Sequence, residues 1–206
     1  MAVAGETRTS PRFDWEDLDL YRFFAFAFGA PSPERFDILA QPALRAALPE
    51  LWRRLGCAGG PPEFDWFTDY AEYEATYIAL FDVGVPEPPV PLFESAHDKT
   101  KPAQEIALEN TWFYDTLGLK WDSNQAVPDY LITQLEFLAA VRYTRENAPD
   151  TGALAQLETD FLRRHMLNWV PAASAKLSRV ADCPFVPLLI MLAVVLQGDS
   201  KQRASG

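Results

Sequence analysis

The sequence predicts an all-α, single-domain protein, a helical bundle of roughly seven to nine helices. Two observations carry this. Apolar residues recur at helical spacing in segment after segment, Leu131, Leu135, Leu138 and Val141 being the clearest run. Glycine and proline then punctuate the chain at helix-length intervals. Convincing strand alternation, βαβ spacing and internal repeats are all missing from the pattern.

The elements follow in order. Asp14 to about Phe28 reads as the first helix, with Asp14 as N-cap and Gly29-Ala30-Pro31 as the stop. Ser32-Pro33-Glu34 opens a short second helix, and Pro42 opens a third that Gly56 ends. Asp65 is expected to cap a long aromatic helix reaching about Asp82, closed by Gly84. Pro86, Pro88, Pro89 and Pro91 exclude a helix and favour a stiff, extended loop to Ser95. Thr100 and Pro102 open a helix that ends at Leu117-Gly118. Pro128 and Asp129 begin the next, running to about Asn147, with Asp129 near the positive end of its dipole. Thr151 to Leu167 is another, Pro171 starts a short one, and Pro184 to Leu196 is the last, stopped by Gly198. Residues 1–12 are expected to be a flexible N-terminus, 13–198 the helical domain and 199–206 a flexible tail.

Composition narrows the function. The chain has 206 residues, enough for one domain with a proper core. Its net charge is −11, so nucleic acid is not an expected partner, because phosphate recognition needs clustered Lys and Arg. An acidic surface favours basic partners or simply keeps the protein soluble. Cys57 and Cys183 form no CxxC pair, which fits free thiols in a reducing compartment. Met1 to Arg12 has no apolar h-region and does not read as a secretory signal. The longest apolar run, Pro184 to Leu196, falls short of the ~20 residues a bilayer needs, so stable membrane insertion is not expected.

Three segments carry candidate chemistry. Phe64 to Phe81 is dense in aromatics, and Trp66, Tyr70, Tyr73, Tyr77 and Phe81 read either as core or as the wall of a groove for an apolar peptide. The tyrosine hydroxyls need partners, which suits a partly wet wall, and Asp65, Asp69, Glu72 and Glu74 would favour a basic end on that peptide. Pro91-Leu92-Phe93-Glu94-Ser95 reads as a preorganised binding loop or as a stiff connector. Phe113-Tyr114-Asp115-Thr116-Leu117-Gly118-Leu119 reads as a helix end, with Gly118 supplying the left-handed position. Asp129 could pair with a peptide arginine or merely cap its helix. Glu94-Ser95-Ala96-His97 has metal-helix spacing but no companion motif, since neither Glu nor Asp stands three residues before His165. No metal, cofactor fingerprint or nucleophile triad is expected. The pairs Arg53-Arg54 and Arg163-Arg164 sit inside helices and are not export signals.

Pro128-Asp129-Tyr130-Leu131 followed by Leu135-Glu136-Phe137-Leu138-Ala139 resembles the signature of the TorD/DmsD/NarJ family of molybdoenzyme maturation chaperones. The usual family form has His where this chain has Tyr130. Leu80-Phe81, Gly84 and Pro91-Leu92-Phe93-Glu94-Ser95 form a second match, and Phe113-Tyr114…Gly118-Leu119 a third, in the family's order. The last two look most like the branch serving type II dimethyl-sulfoxide-reductase-group enzymes. The resemblance implies a cytoplasmic chaperone without cofactor or catalysis. It would bind the catalytic subunit of a molybdopterin oxidoreductase, assist cofactor insertion, and take the twin-arginine signal peptide before export. Trp66, Tyr70, Tyr73, Tyr77, Phe81, Pro91, Phe93, Ser95, Asp129, Tyr130 and Glu136 are the expected client-binding residues. The alternative is a small all-α enzyme using Glu72, Asp129 and Glu136.

Overall fold

The computed structural model describes residues 19–119 and 127–204, with side chains to residue 200. Among them lie ten α-helical segments and no strand beyond one isolated antiparallel bridge, so the all-α expectation is borne out. They are α1 (Leu20–Ala27), α2 (Pro33–Leu39), α3 (Pro42–Arg54), α4 (Tyr70–Tyr77), α5 (Glu94–His97), α6 (Ala103–Thr116), α7 (Leu131–Glu146), α8 (Gly152–Phe161), α9 (Leu167–Val180) and α10 (Phe185–Ala204).

The start of α1 at Asp14 lies outside the described residues; within them Asp19 caps the helix, accepting the N–H groups of Tyr21 and Arg22 at 2.9 and 3.4 Å. Ser32 caps α2 as its sequence promised, accepting Arg35 N–H at 3.1 Å. The aromatic helix starts later than Asp65. Asp69 caps α4 by accepting Glu72 N–H at 2.9 Å, and Glu72 reaches back to Thr68 N–H and hydroxyl at 2.9 and 2.7 Å. This reciprocal box fixes the start. The preceding residues stay irregular and turn Phe64, Trp66 and Phe67 inward, each less than a tenth exposed.

Three further boundaries differ from expectation. The loop to Ser95 contains a helical turn, α5. Pro171 does not start a helix: α8, a π-helical turn Leu162–Met166 and α9 are continuous, and Pro171 sits inside α9. Its missing N–H falls about one turn after the ladder has already slipped by a residue. Gly198 does not stop α10, which runs to Ala204, so the helix enters the segment expected to be a loose tail. A mid-helix glycine costs only about 1 kcal/mol. Asp199 is anchored there, accepting Tyr21 O–H at 2.8 Å and pairing with Arg142.

Helix α1 packs on α7, α8 on α7 and α10 on α9. Phe185 at the start of α10 is fully buried, with rings of Phe28, Trp66, Phe67, Tyr73, Tyr77 and Phe81 at centroid distances of 5.2–6.1 Å. A second aromatic nucleus joins Phe113, Tyr114, Phe137 and Phe161. Between the helices Arg142 lies 4.0 Å over the Tyr21 ring and bonds Glu158 at 3.1 Å, linking α1, α7, α8 and α10. No helix among the described residues is long and apolar enough to cross a membrane.

Candidate functional site

Helix α4 passes directly into a π-helical turn, Ile78–Asp82, where one extra residue is accommodated. The Leu80 carbonyl then accepts Val90 N–H at 2.9 Å, closing the proline-rich loop back onto the helix end. Past Pro91 the chain runs antiparallel to residues 129–131. Leu131 N–H reaches the Leu92 carbonyl and Glu94 N–H the Asp129 carbonyl, both at 2.9 Å. Phe93 stacks on Tyr130 at 5.0 Å. Two motifs more than thirty residues apart thus form one structural junction.

Asp129 is only 3% exposed, not the exposed helix-start carboxylate that its position suggested. Helix α7 begins at Leu131, after Pro128 and Asp129, and has no side-chain cap. The Asp129 carboxylate accepts Ser95 N–H at 3.0 Å, so it holds the first turn of α5. Tyr130 shares a 3.1 Å hydroxyl contact with Tyr77, whose own O–H donates to the Phe28 carbonyl at 2.8 Å. The Pro91 carbonyl accepts His97 Nε2–H at 2.7 Å, and His97 stacks on Trp169 at 5.3 Å. Burial holds the His97 imidazole below its ordinary range.

Beneath this junction is a buried polar cluster that sequence reasoning passed over. Glu94 accepts amide N–H bonds from Asn110 at 3.0 Å and Gln134 at 2.6 Å, and meets His165 Nδ1 at 3.0 Å. Trp169 Nε1–H donates to the Gln134 side-chain oxygen at 3.2 Å. The Glu94–His97 spacing was therefore informative about the wrong histidine: Glu94 pairs with His165. The available signal was one acid and three amide or imidazole groups standing on otherwise apolar helix faces.

The aromatic wall is also corrected. Tyr73, Tyr77 and Phe81 are 0–1% exposed and packed around Phe185, so they are core. Burial raises the Tyr73 phenol to about 12 and pushes that of Tyr77 higher. Tyr70 is half-buried, its O–H donating to Glu74 at 2.7 Å.

A groove of about 950 Å3 does exist, on the other face of α4. Its floor is Ala75, Thr76, Ala79 and Leu80 of the helix with Val186, Pro187 and Ile190 of α10. Glu63, Asp65, Glu72 and Asp182 are among its lining residues, and no Lys or Arg is. Arg45 reaches Asp65 from outside at 3.3 Å. Trp66 closes one wall, and its buried indole N–H has no partner among the described residues. The hydrogen bonds from Thr68 hold the Glu72 carboxyl below its usual range, so Glu72 stays charged. Apolar floor and acidic border together suit a segment with an apolar run and a basic end. The sequence signal for this floor was Ala75 and Ala79 four positions apart, leaving a shallow strip where α4 passes into the π-helical turn.

A second groove, of about 550 Å3, lies between α1 and α7 and is lined by Arg22, Phe26, Arg35, Tyr130, Ile132 and Glu136 among others. Desolvation there raises the Glu136 carboxyl. Glu72, Asp129 and Glu136 therefore occupy three different environments: the first groove, the buried junction and the second groove. Their convergence, which the enzyme alternative needs, does not occur.

A family profile described as nitrate reductase delta subunit matches residues 39–175. The chain is 26% identical over 137 residues to a perchlorate reductase assembly chaperone protein of Dechloromonas aromatica (strain RCB), covering 64% of this chain and 61% of that one. It is 33% identical over 107 residues to a selenate reductase assembly chaperone protein of Thauera selenatis, covering 48% and 53%. It is 31% identical over 107 residues to a chlorate reductase assembly chaperone protein of Ideonella dechloratans, with the same coverage. The chain thus spans between half and three-fifths of the length of these relatives. A crystal structure described as a redox enzyme maturation protein from Archaeoglobus fulgidus shares the fold, with a TM-score of 0.51 at 16% identity, covering 95% of this chain and 98% of that one. The match over two-thirds of its length, with three motifs in order and the same helical fold, makes this chain a member of the nitrate reductase delta subunit family.

Proposed function

We propose that this protein is a non-catalytic assembly chaperone for the catalytic subunit of a molybdopterin oxidoreductase, acting in the cytoplasm before export. It holds the subunit ready for cofactor insertion and takes its twin-arginine signal peptide in the groove between α4 and α10. The single observation that supports this most is the groove itself: an apolar floor bordered by Glu63, Asp65, Glu72 and Asp182. A twin-arginine segment carries a basic end and then an apolar run, and the groove complements both. The relatives named as assembly chaperones for perchlorate, selenate and chlorate reductases support the client class.

Calorimetry with a peptide of two adjacent arginines followed by a leucine–alanine run tests the groove. Binding is expected at low salt and should weaken as salt rises, because part of the attraction is screened charge. Glu63→Gln with Asp182→Asn should weaken it further. No binding at low salt, or binding indifferent to salt and to both substitutions, contradicts the reading.

A further inference from the structure

Helix α6 turns Ile106, Asn110, Phe113 and Tyr114 inward. Its outer face carries two large apolar side chains, Leu108 at 70% and Trp112 at 59% exposure. Four residues apart, they stand one turn from each other on the same stripe. Glu105 precedes Leu108 by three residues and Asp115 follows Trp112 by three, both exposed, so the apolar ridge ends in a carboxylate on either side. The neighbouring cations are engaged elsewhere: Lys101 bonds Glu109 at 2.7 Å, and Arg164 lies 3.5 Å from Glu109 and over the Phe113 ring. Neither Glu105 nor Asp115 has an ion-pair partner among the described residues.

We propose that this face of α6 is a docking site for a helical segment of a partner polypeptide whose apolar side is bordered by Lys or Arg. Two knobs one turn apart fit the groove between side-chain rows of a facing helix. The flanking carboxylates select basic borders on that helix. A second copy of this chain fits badly, since antiparallel pairing of two such faces would set Glu105 against Asp115 and bring together two chains of net charge −11. No residue of α6 lines either groove, so this site stands apart from the one proposed for the signal peptide.

The test uses the 15N-labelled full chain and a synthetic amphipathic helix of leucine and lysine at helical spacing, with a leucine–glutamate peptide as control. Saturable amide shifts concentrated on α6 are expected with the lysine peptide and none with the glutamate peptide. The L108S/W112S variant, whose changes are mostly solvent-facing and should lower the melting temperature by only a few degrees, should bind about tenfold or more weakly. E105Q/D115N should weaken binding and flatten its salt dependence. Shifts confined to residues around Trp66 and Ile190, or equal affinity in L108S/W112S, would overturn the proposal. So would sedimentation showing a dimer of the wild type that L108S/W112S abolishes, since that makes a second copy the occupant.

Discussion

Asp129 shows how burial changes what a residue does. Its sequence position suits a helix cap, yet its carboxylate is buried and satisfies Ser95 N–H across the junction. Asp129→Ala leaves that N–H without its acceptor, and denaturant unfolding should show a loss of about 1–3 kcal/mol. Tyr130→Phe should cost less, about 0.5–1.5 kcal/mol, because Tyr77 keeps its bond to the Phe28 carbonyl. Tyr130→His should be tolerated, since an imidazole N–H can donate to the Tyr77 hydroxyl oxygen. A loss below about 0.5 kcal/mol in Asp129→Ala would show that the junction does not depend on the carboxylate. His97 sets a pH dependence. Burial lowers its pKa in the folded state, so the unfolded chain takes up the proton first as pH falls below about 6.5. Stability attributable to His97 is therefore intact above that pH and is lost as pH falls toward the folded value. The wild-type minus His97→Asn difference in unfolding free energy should decline over that window, and a flat difference would contradict the assignment. None of this was legible at single residues, because the partner of Asp129 lies 34 positions away.

At the scale of elements, the sequence was most readable where local chemistry decides. Ser32 starts α2 and Gly118 ends α6 as expected, the latter with φ of 78°. Gly118→Ala should destabilise by about 1 kcal/mol, since only glycine takes that conformation freely. Gly84 has a different reason to be glycine: a Cβ there would lie 2.2 Å from the Glu87 carbonyl oxygen. Gly84→Ala must displace backbone in the loop that feeds the junction, and a loss of about 1–3 kcal/mol is expected by thermal unfolding. A neutral result for Gly84→Ala would mean that the turn at Glu87 is not held closely. Boundaries failed where tertiary contacts overrode local signals. Asp69 displaced Asp65 as the cap because burying Phe64, Trp66 and Phe67 kept the preceding residues out of the helix. Helix α10 crossed Gly198 because Asp199 is held by Tyr21 and Arg142.

For the whole molecule, the family resemblance read from the sequence is borne out by the match over residues 39–175, a span that contains all three motifs. Two of them meet in space, at the bridge between Phe93 and Tyr130. The groove was legible only as a kind of surface, acidic beside apolar. Its location was not, because helical periodicity does not say which face of α4 the core takes. The aromatics took the core and left the alanine strip outside. The central claim is that this acidic groove serves the maturation of a molybdenum-containing client. It is tested most directly by the molybdenum content, per polypeptide, of a perchlorate, selenate or chlorate reductase catalytic subunit. Each subunit is produced alone, with this protein, and with its Glu63→Gln/Asp65→Asn/Asp182→Asn variant. At least one of the subunits should be more fully loaded with the wild type than alone, and the variant should return it toward the level without this protein. Equal loading in all three samples for every subunit would contradict the maturation role.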